Sequence, residues 1–190
     1  MTPSLLKASF DVGLPYGRYV ETGTPAQQAN WNRFRDQVPD LSDQQRKLVA
    51  SFSRRMPVLV ISGTWCGDCV QQCPMLERIA EANREAIDLR FVDRDEHKDL
   101  ADRVMICGGH RVPTVIFMNE EFEFVSLLGD RTLARYRAIA ARQLGASCPY
   151  PGAPVPADEI AATMQDWLNE FERAALLLRL SPKLRQKHGD

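Results

Sequence analysis

No apolar run in this chain approaches the roughly 20 residues a helix needs to cross a bilayer, so a helical membrane protein is not expected. An excess of charge of one sign is also missing. The 24 Lys and Arg residues meet 25 Asp and Glu, for a formal net charge of −1. That balance offers no electrostatic footprint for nucleic acid or an anionic membrane, and neither partner is expected. Cysteine is sparse, with five residues. The number is odd and the spacing outside one pair is irregular, which argues against a secreted disulfide framework. Met1-Thr2-Pro3-Ser4-Leu5-Leu6-Lys7 has neither the positively charged lead nor the sustained apolar stretch of a secretory signal, so a reducing cytoplasmic location is expected.

What the chain does have is an ordinary globular composition, 44% hydrophobic and 26% charged over 190 residues. Such a length is generous for one small α/β unit and short for two, so one core with terminal additions is expected. The first twenty residues carry Gly13, Pro15 and Gly17 among Phe10, Tyr16 and Tyr19 without a clear period, and read as an irregular arm packed on the body. Thr24-Pro25-Ala26-Gln27 supplies a capping residue, a proline at the first helical position and a glutamine at the third. Trp31, Phe34 and Val38 share the buried face of that helix. Ser42-Asp43-Gln44-Gln45 repeats the capping pattern for a second helix, with Leu48, Val49 and Phe52 inward.

Pro57 to Ser62 is short and apolar, which suits a strand buried on both faces. It runs into Trp65-Cys66-Gly67-Asp68-Cys69, the start of an amphipathic segment on which Cys69, Cys73, Leu76 and Ala80 follow at helical spacing. Ile87, Leu89 and Phe91 alternate with polar residues as a second strand. A short helix over about 96–104 then leads to Val112-Pro113-Thr114. Val115 to Met118 and Phe122 to Leu127 read as a hairpin around Asn119-Glu120. Asp130 is placed to cap a helix turning Leu133, Tyr136, Ala140 and Leu144 towards the sheet. Cys148 to Pro156 is too rich in proline for regular structure and reads as a linker or strap. A long helix from about Ala157 presents Ile160, Met164, Trp167, Leu168, Phe171, Ala175 and Leu178 on one stripe, expected to fold back on the core. Ser181 to Asp190 reads as a fraying basic tail. The chain thus divides into an N-terminal arm and helical extension (1–55), an α/β core (56–145) and a Pro-rich strap with a C-terminal helix (146–190).

The two cysteines carry the chemistry. Cys66 falls at a strand-to-helix junction, where unpaired N–H groups and the helix dipole favour a thiolate. Cys69 lies one turn inward, close enough to bond it. A nucleophilic thiol beside a partner that can release it is what thiol–disulfide exchange requires. Through this motif, the Val112-Pro113 step and Pro74 in the following helix, the region from about Pro57 to Leu144 resembles the thioredoxin family. The resemblance implies a mixed sheet flanked by helices, a cis peptide bond before Pro113 and no bound organic cofactor. It further implies Cys66 as nucleophile, Cys69 as resolving thiol, and Trp65, Gly67, Asp68, Val112 and Pro113 against the substrate. Its partners would be a disulfide-bearing protein or small molecule and an external electron donor such as a thioredoxin reductase or glutathione; a monomer is expected over a dimer.

Two positions depart from the family pattern. Asp68 stands where proline is common, and its charge is expected to oppose a Cys66 thiolate and favour a reductant over an oxidant. Val60 stands where a buried aspartate is common, which leaves proton transfer from Cys69 to water or to Asp68. Arg131, Arg135, Arg137 and Arg142 read as a solvated helix face, His97 and His188 as surface residues, and Cys73 as core. Cys107 and Cys148 have no assigned role. The alternatives are a redox-sensing or binding module that works through its helical extensions, and a thiolate metal site of Cys66, Cys69 and Cys73 with His110 as fourth ligand.

Overall fold

The computed structural model describes residues 1–144 and 158–189; the Pro-rich strap, Cys148 included, lies outside the described residues. The expected α/β architecture is present. Four strands, β1 (Met56–Ser62), β2 (Ile87–Asp93), β3 (Thr114–Met118) and β4 (Phe124–Gly129), form one mixed sheet in the order β2-β1-β3-β4. The central β1 runs parallel to β2, with Val60 opposite Phe91, and antiparallel to β3, with Val60 opposite Val115. Every residue of β1 and β3 is buried, as unbroken apolar runs require.

The N-terminal arm is helical, which corrects the irregular reading. Thr2 caps α1 (Pro3–Val12) with Pro3 in its first turn, and Leu6 and Phe10, one turn apart, are both buried. Gly13 and Pro15 separate it from α2 (Tyr16–Glu21). Gly13 is a close approach: a Cβ there would come within 2.9 Å of the Arg90 Cβ. Leu14 exchanges two backbone hydrogen bonds with Phe91, each of 2.8 Å, so the arm adds a single bridge to the outer edge of β2.

Both capping boxes form, Thr24 with Gln27 at α3 (Pro25–Arg35) and Ser42 with Gln45 at α4 (Asp43–Ala50). Trp31 of α3 is fully buried between Tyr16 and Tyr19, and its indole donates to the Thr64 carbonyl at 2.9 Å. Asn83 then ties the end of α4 to the core by donating to the carbonyls of Val49 and Phe52.

The helix α5 (Gly67–Glu81) follows β1 with Pro74 inside it, and α6 (Lys98–Ala101) makes the short crossover. The hairpin is longer at its turn than expected. β4 begins at Phe124, and Asn119 organises the loop by accepting the N–H groups of Glu121 and Glu123.

At α7 (Leu133–Leu144) the buried residues are Ala134, Arg135 and Ala138, while Leu133, Tyr136 and Leu144 are exposed. Small alanines let α7 lie close against α8 (Glu159–Leu180), and the Asp166 carboxylate of α8 accepts the Ala134 N–H at 2.7 Å. Asp130 therefore does not cap α7.

The long helix α8 docks on the core. Met164, Trp167, Leu168, Phe171, Ala174 and Leu178 are buried, and the Phe171 ring stands edge-on to Phe117 at 5.1 Å. The basic tail is helical too: Ser181 caps α9 (Pro182–His188), and Lys183 and Lys187 pair with Glu123 and Glu121 of the hairpin. Among the described residues no helix is long and apolar enough to cross a membrane.

Trp31 is the clearest brace between the N-terminal helices and the β1–α5 junction. Trp31→Ala should cost about 3–5 kcal/mol of unfolding free energy, read by urea denaturation. A loss below about 1 kcal/mol would show that α3 contributes little to the core.

Candidate active site

The site is built where β1 ends and α5 begins. Cys66 is the N-cap residue of α5, half-buried, and its thiol donates to the Val112 carbonyl at 3.6 Å. Val112 and Pro113 are joined by a cis peptide bond, as the resemblance implied, and both are buried. Cys69, one turn along, is fully buried behind Cys66, and the two sulfurs are near enough to share a hydrogen bond. Gly67 is exposed, and a Cβ built on it would meet nothing within 4 Å. Open space therefore lies at Gly67, the residue next to Cys66 in the chain.

Trp65 is held flat over the junction. A Cβ on Gly63 would come within 2.7 Å of the indole ring, so the glycine is what lets the ring lie there. The Arg94 guanidinium covers Trp65 at 4.5 Å from the ring centroid, and it donates to the His110 carbonyl at 3.2 Å and to Asp95. Arg94 thereby joins the end of β2 to the loop that leads to Pro113.

The electrostatics differ from the expectation drawn from the helix terminus alone. The Cys66 thiol is pushed up, first by its hydrogen bond with the Cys69 thiol and then by burial, while the N–H groups of Asp68 and Cys69 pull it down. Burial pushes the Cys69 thiol up strongly. Two sulfurs sharing one hydrogen bond give up a first proton far more readily than a second.

The Asp68 carboxylate is not among the principal influences on Cys66. It is engaged elsewhere: Arg131 reaches it at 2.6 Å and Arg135 at 2.8 Å. Arg135 also pairs with Glu159 of α8 at 3.1 Å, and Arg142 with the same carboxylate at 2.8 Å. Burial favours the neutral Asp68, but the hydrogen bonds and charges of Arg131 and Arg135 outweigh it and hold the carboxyl below its usual range. The solvated arginine face is thus corrected for Arg131 and Arg135, which turn inward to Asp68; Arg142 is exposed as expected, though it pairs with Glu159. Asp130, buried near Pro113, accepts from Arg111 at 3.4 Å and from the Tyr136 hydroxyl, and forms an ion pair with Arg131 at 3.6 Å.

The metal alternative does not assemble. Among the described residues the one group of His, Cys, Asp or Glu ligand atoms within 4.8 Å of one another is Glu120, Glu121 and His188, so Cys66, Cys69, Cys73 and His110 do not converge on one ion. Cys73 is fully buried against Ser62, while Cys107 is exposed on a left-handed turn. Arg94, Arg131, Arg135, Asp130 and Ser62 are site residues that sequence patterns do not single out. The available signal is slight: Ala134 and Ala138, one turn apart beside Arg135, mark the face of α7 that allows a close neighbour.

A family model described as thioredoxin matches residues 13–140, more than half of the chain. Over 86 residues the chain is 31% identical to thioredoxin-2 of Saccharomyces cerevisiae, covering 45% of this chain and 79% of that protein. Thioredoxin-1 of the same yeast is 30% identical over 87 residues, 46% of this chain and 81% of that protein. A protein of unknown function from Pseudomonas aeruginosa has a similar structure, with a TM-score of 0.63 at 21% identity over 85% of this chain and 95% of that one.

Asp68→Asn should lower stability at pH 7 by about 2 kcal/mol, because two guanidiniums lose their shared carboxylate. Since the folded-state pKa of Asp68 is depressed, its contribution is complete above the unfolded carboxylate value of about 4 and is lost as pH falls below it. Urea denaturation at pH 7 and near pH 2 should therefore show the gap between wild type and variant closing in acid. A gap independent of pH would contradict the assignment.

Proposed function

The chain belongs to the thioredoxin family, and on that footing we propose that it is a thiol–disulfide oxidoreductase working through Cys66 and Cys69. The observation that carries the reading is the seating of the two thiols: Cys66 half-exposed at the start of α5, and Cys69 sealed behind it within bonding reach. The Cys66 thiolate attacks a substrate disulfide, forming a mixed disulfide and expelling one substrate thiolate. Cys69 then attacks the Cys66 sulfur, the second substrate sulfur leaves with the electron pair and takes the proton, and a Cys66–Cys69 disulfide remains. An external donor, a thioredoxin reductase or glutathione, returns two electrons and two protons.

The open space at Gly67, the exposed Trp65 ring and the Val112-Pro113 backbone would receive the substrate segment. The Asp68 carboxylate, tied to Arg131 and Arg135, would orient α5 more than it touches substrate. Likeness to the yeast thioredoxins supports reduction as the protein's working direction. Its potential would lie nearer thioredoxin's roughly −270 mV than the roughly −120 mV of a strong oxidant. The proposed setting is the reducing cytoplasm, with a protein or small-molecule disulfide as substrate.

With dithiothreitol as donor, the wild type should reduce a small disulfide catalytically. Cys66→Ser should abolish turnover, and Cys69→Ser should stop after one equivalent with the substrate thiol attached to Cys66, visible by mass spectrometry. A wild type without turnover would instead support a binding or redox-sensing module.

A further inference from the structure

The resolving thiol has to shed its proton in a place water does not reach. Cys69, Cys73 and Ser62 are each fully buried. Cys66 stands on the solvent side of Cys69. Inside the protein a small polar island meets the Cys69 sulfur, made of Cys73, one turn along α5, and the Ser62 hydroxyl, from the end of β1. Ser62 Oγ and Cys73 Sγ lie 3.7 Å apart and hydrogen-bond to each other. Behind them Tyr19 of α2 approaches Ser62, its buried hydroxyl otherwise without a partner.

The charged groups stand one layer further out. Asp93 of β2 acts on Tyr19, while Arg35, Glu77 and Glu81 act on Tyr16, which faces Cys73. Among the described residues, no carboxylate is one of the principal groups acting on Cys69, and on β1 the neighbouring inward position is the buried aliphatic Val60. A thiolate formed at Cys69 therefore has neutral hydroxyl and thiol groups as its partners. Without a hydrogen-bond donor it would be an uncompensated buried charge.

Building on the oxidoreductase reading, we propose that Ser62 is a further catalytic residue of the resolving step and that Cys73 is its positioning residue. The Ser62 hydroxyl can rotate. With the reduced pair at rest, it bonds to Cys73. As Cys69 loses its proton, the hydroxyl donates to the Cys69 thiolate and Cys73 holds the serine oxygen within reach; the thiolate then attacks the mixed disulfide and its charge passes to the departing substrate sulfur. The Cys69–Cys66 sulfur bond forms and the bond between Cys66 and the substrate sulfur breaks. The proton released by Cys69 ends on the departing substrate thiolate. Ser62 and Cys73 are unchanged at the end of the cycle.

The aromatic disulfide 5,5′-dithiobis(2-nitrobenzoate) separates the two steps in a stopped-flow experiment. Attack by Cys66 releases one coloured thiolate, and resolution by Cys69 releases the second. Ser62→Ala should slow the second release about tenfold and move its pH dependence to the alkaline side, with the first release within about twofold of wild type. Cys73→Ala should slow the second release by less, and Cys73→Ser, which keeps a hydroxyl near Ser62, should recover part of the loss.

An unchanged second release and pH profile in Ser62→Ala would overturn the assignment. So would parallel slowing of both releases, which marks a structural role. Should Ser62→Ala fail to fold, the Cys73→Ala and Cys73→Ser pair decides by the same comparison, and equal rates in both would overturn it. A wild type that never releases the second equivalent would overturn the oxidoreductase reading itself, and this one with it.

Discussion

Asp68 sits between two guanidiniums at the start of α5, and the relation of three helices follows from that pairing. Its carboxylate draws Arg131 and Arg135 inward; Arg135 passes the contact on to Glu159 at the first turn of α8, and Glu159 in turn takes Arg142. A guanidinium as buried as Arg135 needs its charge matched, which Asp68 and Glu159 do through its two terminal nitrogens, while its buried Nε has no hydrogen-bond partner. The cap residue of α5 is Cys66 itself, so the same pairing that orders α5, α7 and α8 also fixes where the candidate nucleophile stands. An acidic residue in the first helical turn has a local reason to be there, yet here its partners, Arg131 just before α7 and Arg135 within it, are distant in sequence.

The N-terminal helices brace the junction from the other side. Trp31 donates to the Thr64 carbonyl, next to Trp65, and Gln27, which completes the α3 capping box, also accepts from the Thr64 hydroxyl at 3.2 Å. The turn between β1 and the two thiols is thus tied to α3 by two side chains. Above it, Trp65 lies between Gly63 and Arg94, and Arg94 reaches the loop before Pro113. The sheet supplies the frame, and these contacts set the approach to Cys66. The family match begins at residue 13, well before β1, so α2 to α4 lie within the matched region.

Features written in local chemistry are legible in the amino-acid sequence. Both capping boxes, the buried β1, the alternation of β2 and the dithiol motif depend on neighbours along the chain, whereas the cis bond before Pro113 is implied only by the family resemblance. Features set by distant partners are not legible in the same way. The α1 and α2 helices hide behind Gly13, Pro15 and Gly17, which separate and start helices here instead of dissolving them. Apolarity points to Leu133 and Tyr136 as the buried face of α7, whereas close approach to α8 selects Ala134 and Ala138 and the Asp68 charge selects Arg135. Asp130 has the look of a cap; its actual partners are Arg111, Arg131 and Tyr136, while α7 takes its capping carboxylate from Asp166. At the site, spacing places Cys66 and Cys69 together, but the upward push on Cys66 comes from Cys69 and burial, neither of which a helix terminus supplies.

Every functional role assigned to this chain depends on which sulfurs bond. The direct measurement is to equilibrate the protein in graded dithiothreitol redox buffers, trap free thiols by alkylation and map the cysteines by mass spectrometry. One two-electron transition is predicted, in which Cys66 and Cys69 become linked while Cys73 and Cys107 stay alkylated. A bond from Cys66 to Cys73 or Cys107, or a Cys66 that remains a free thiol in the most oxidising buffer, would contradict it.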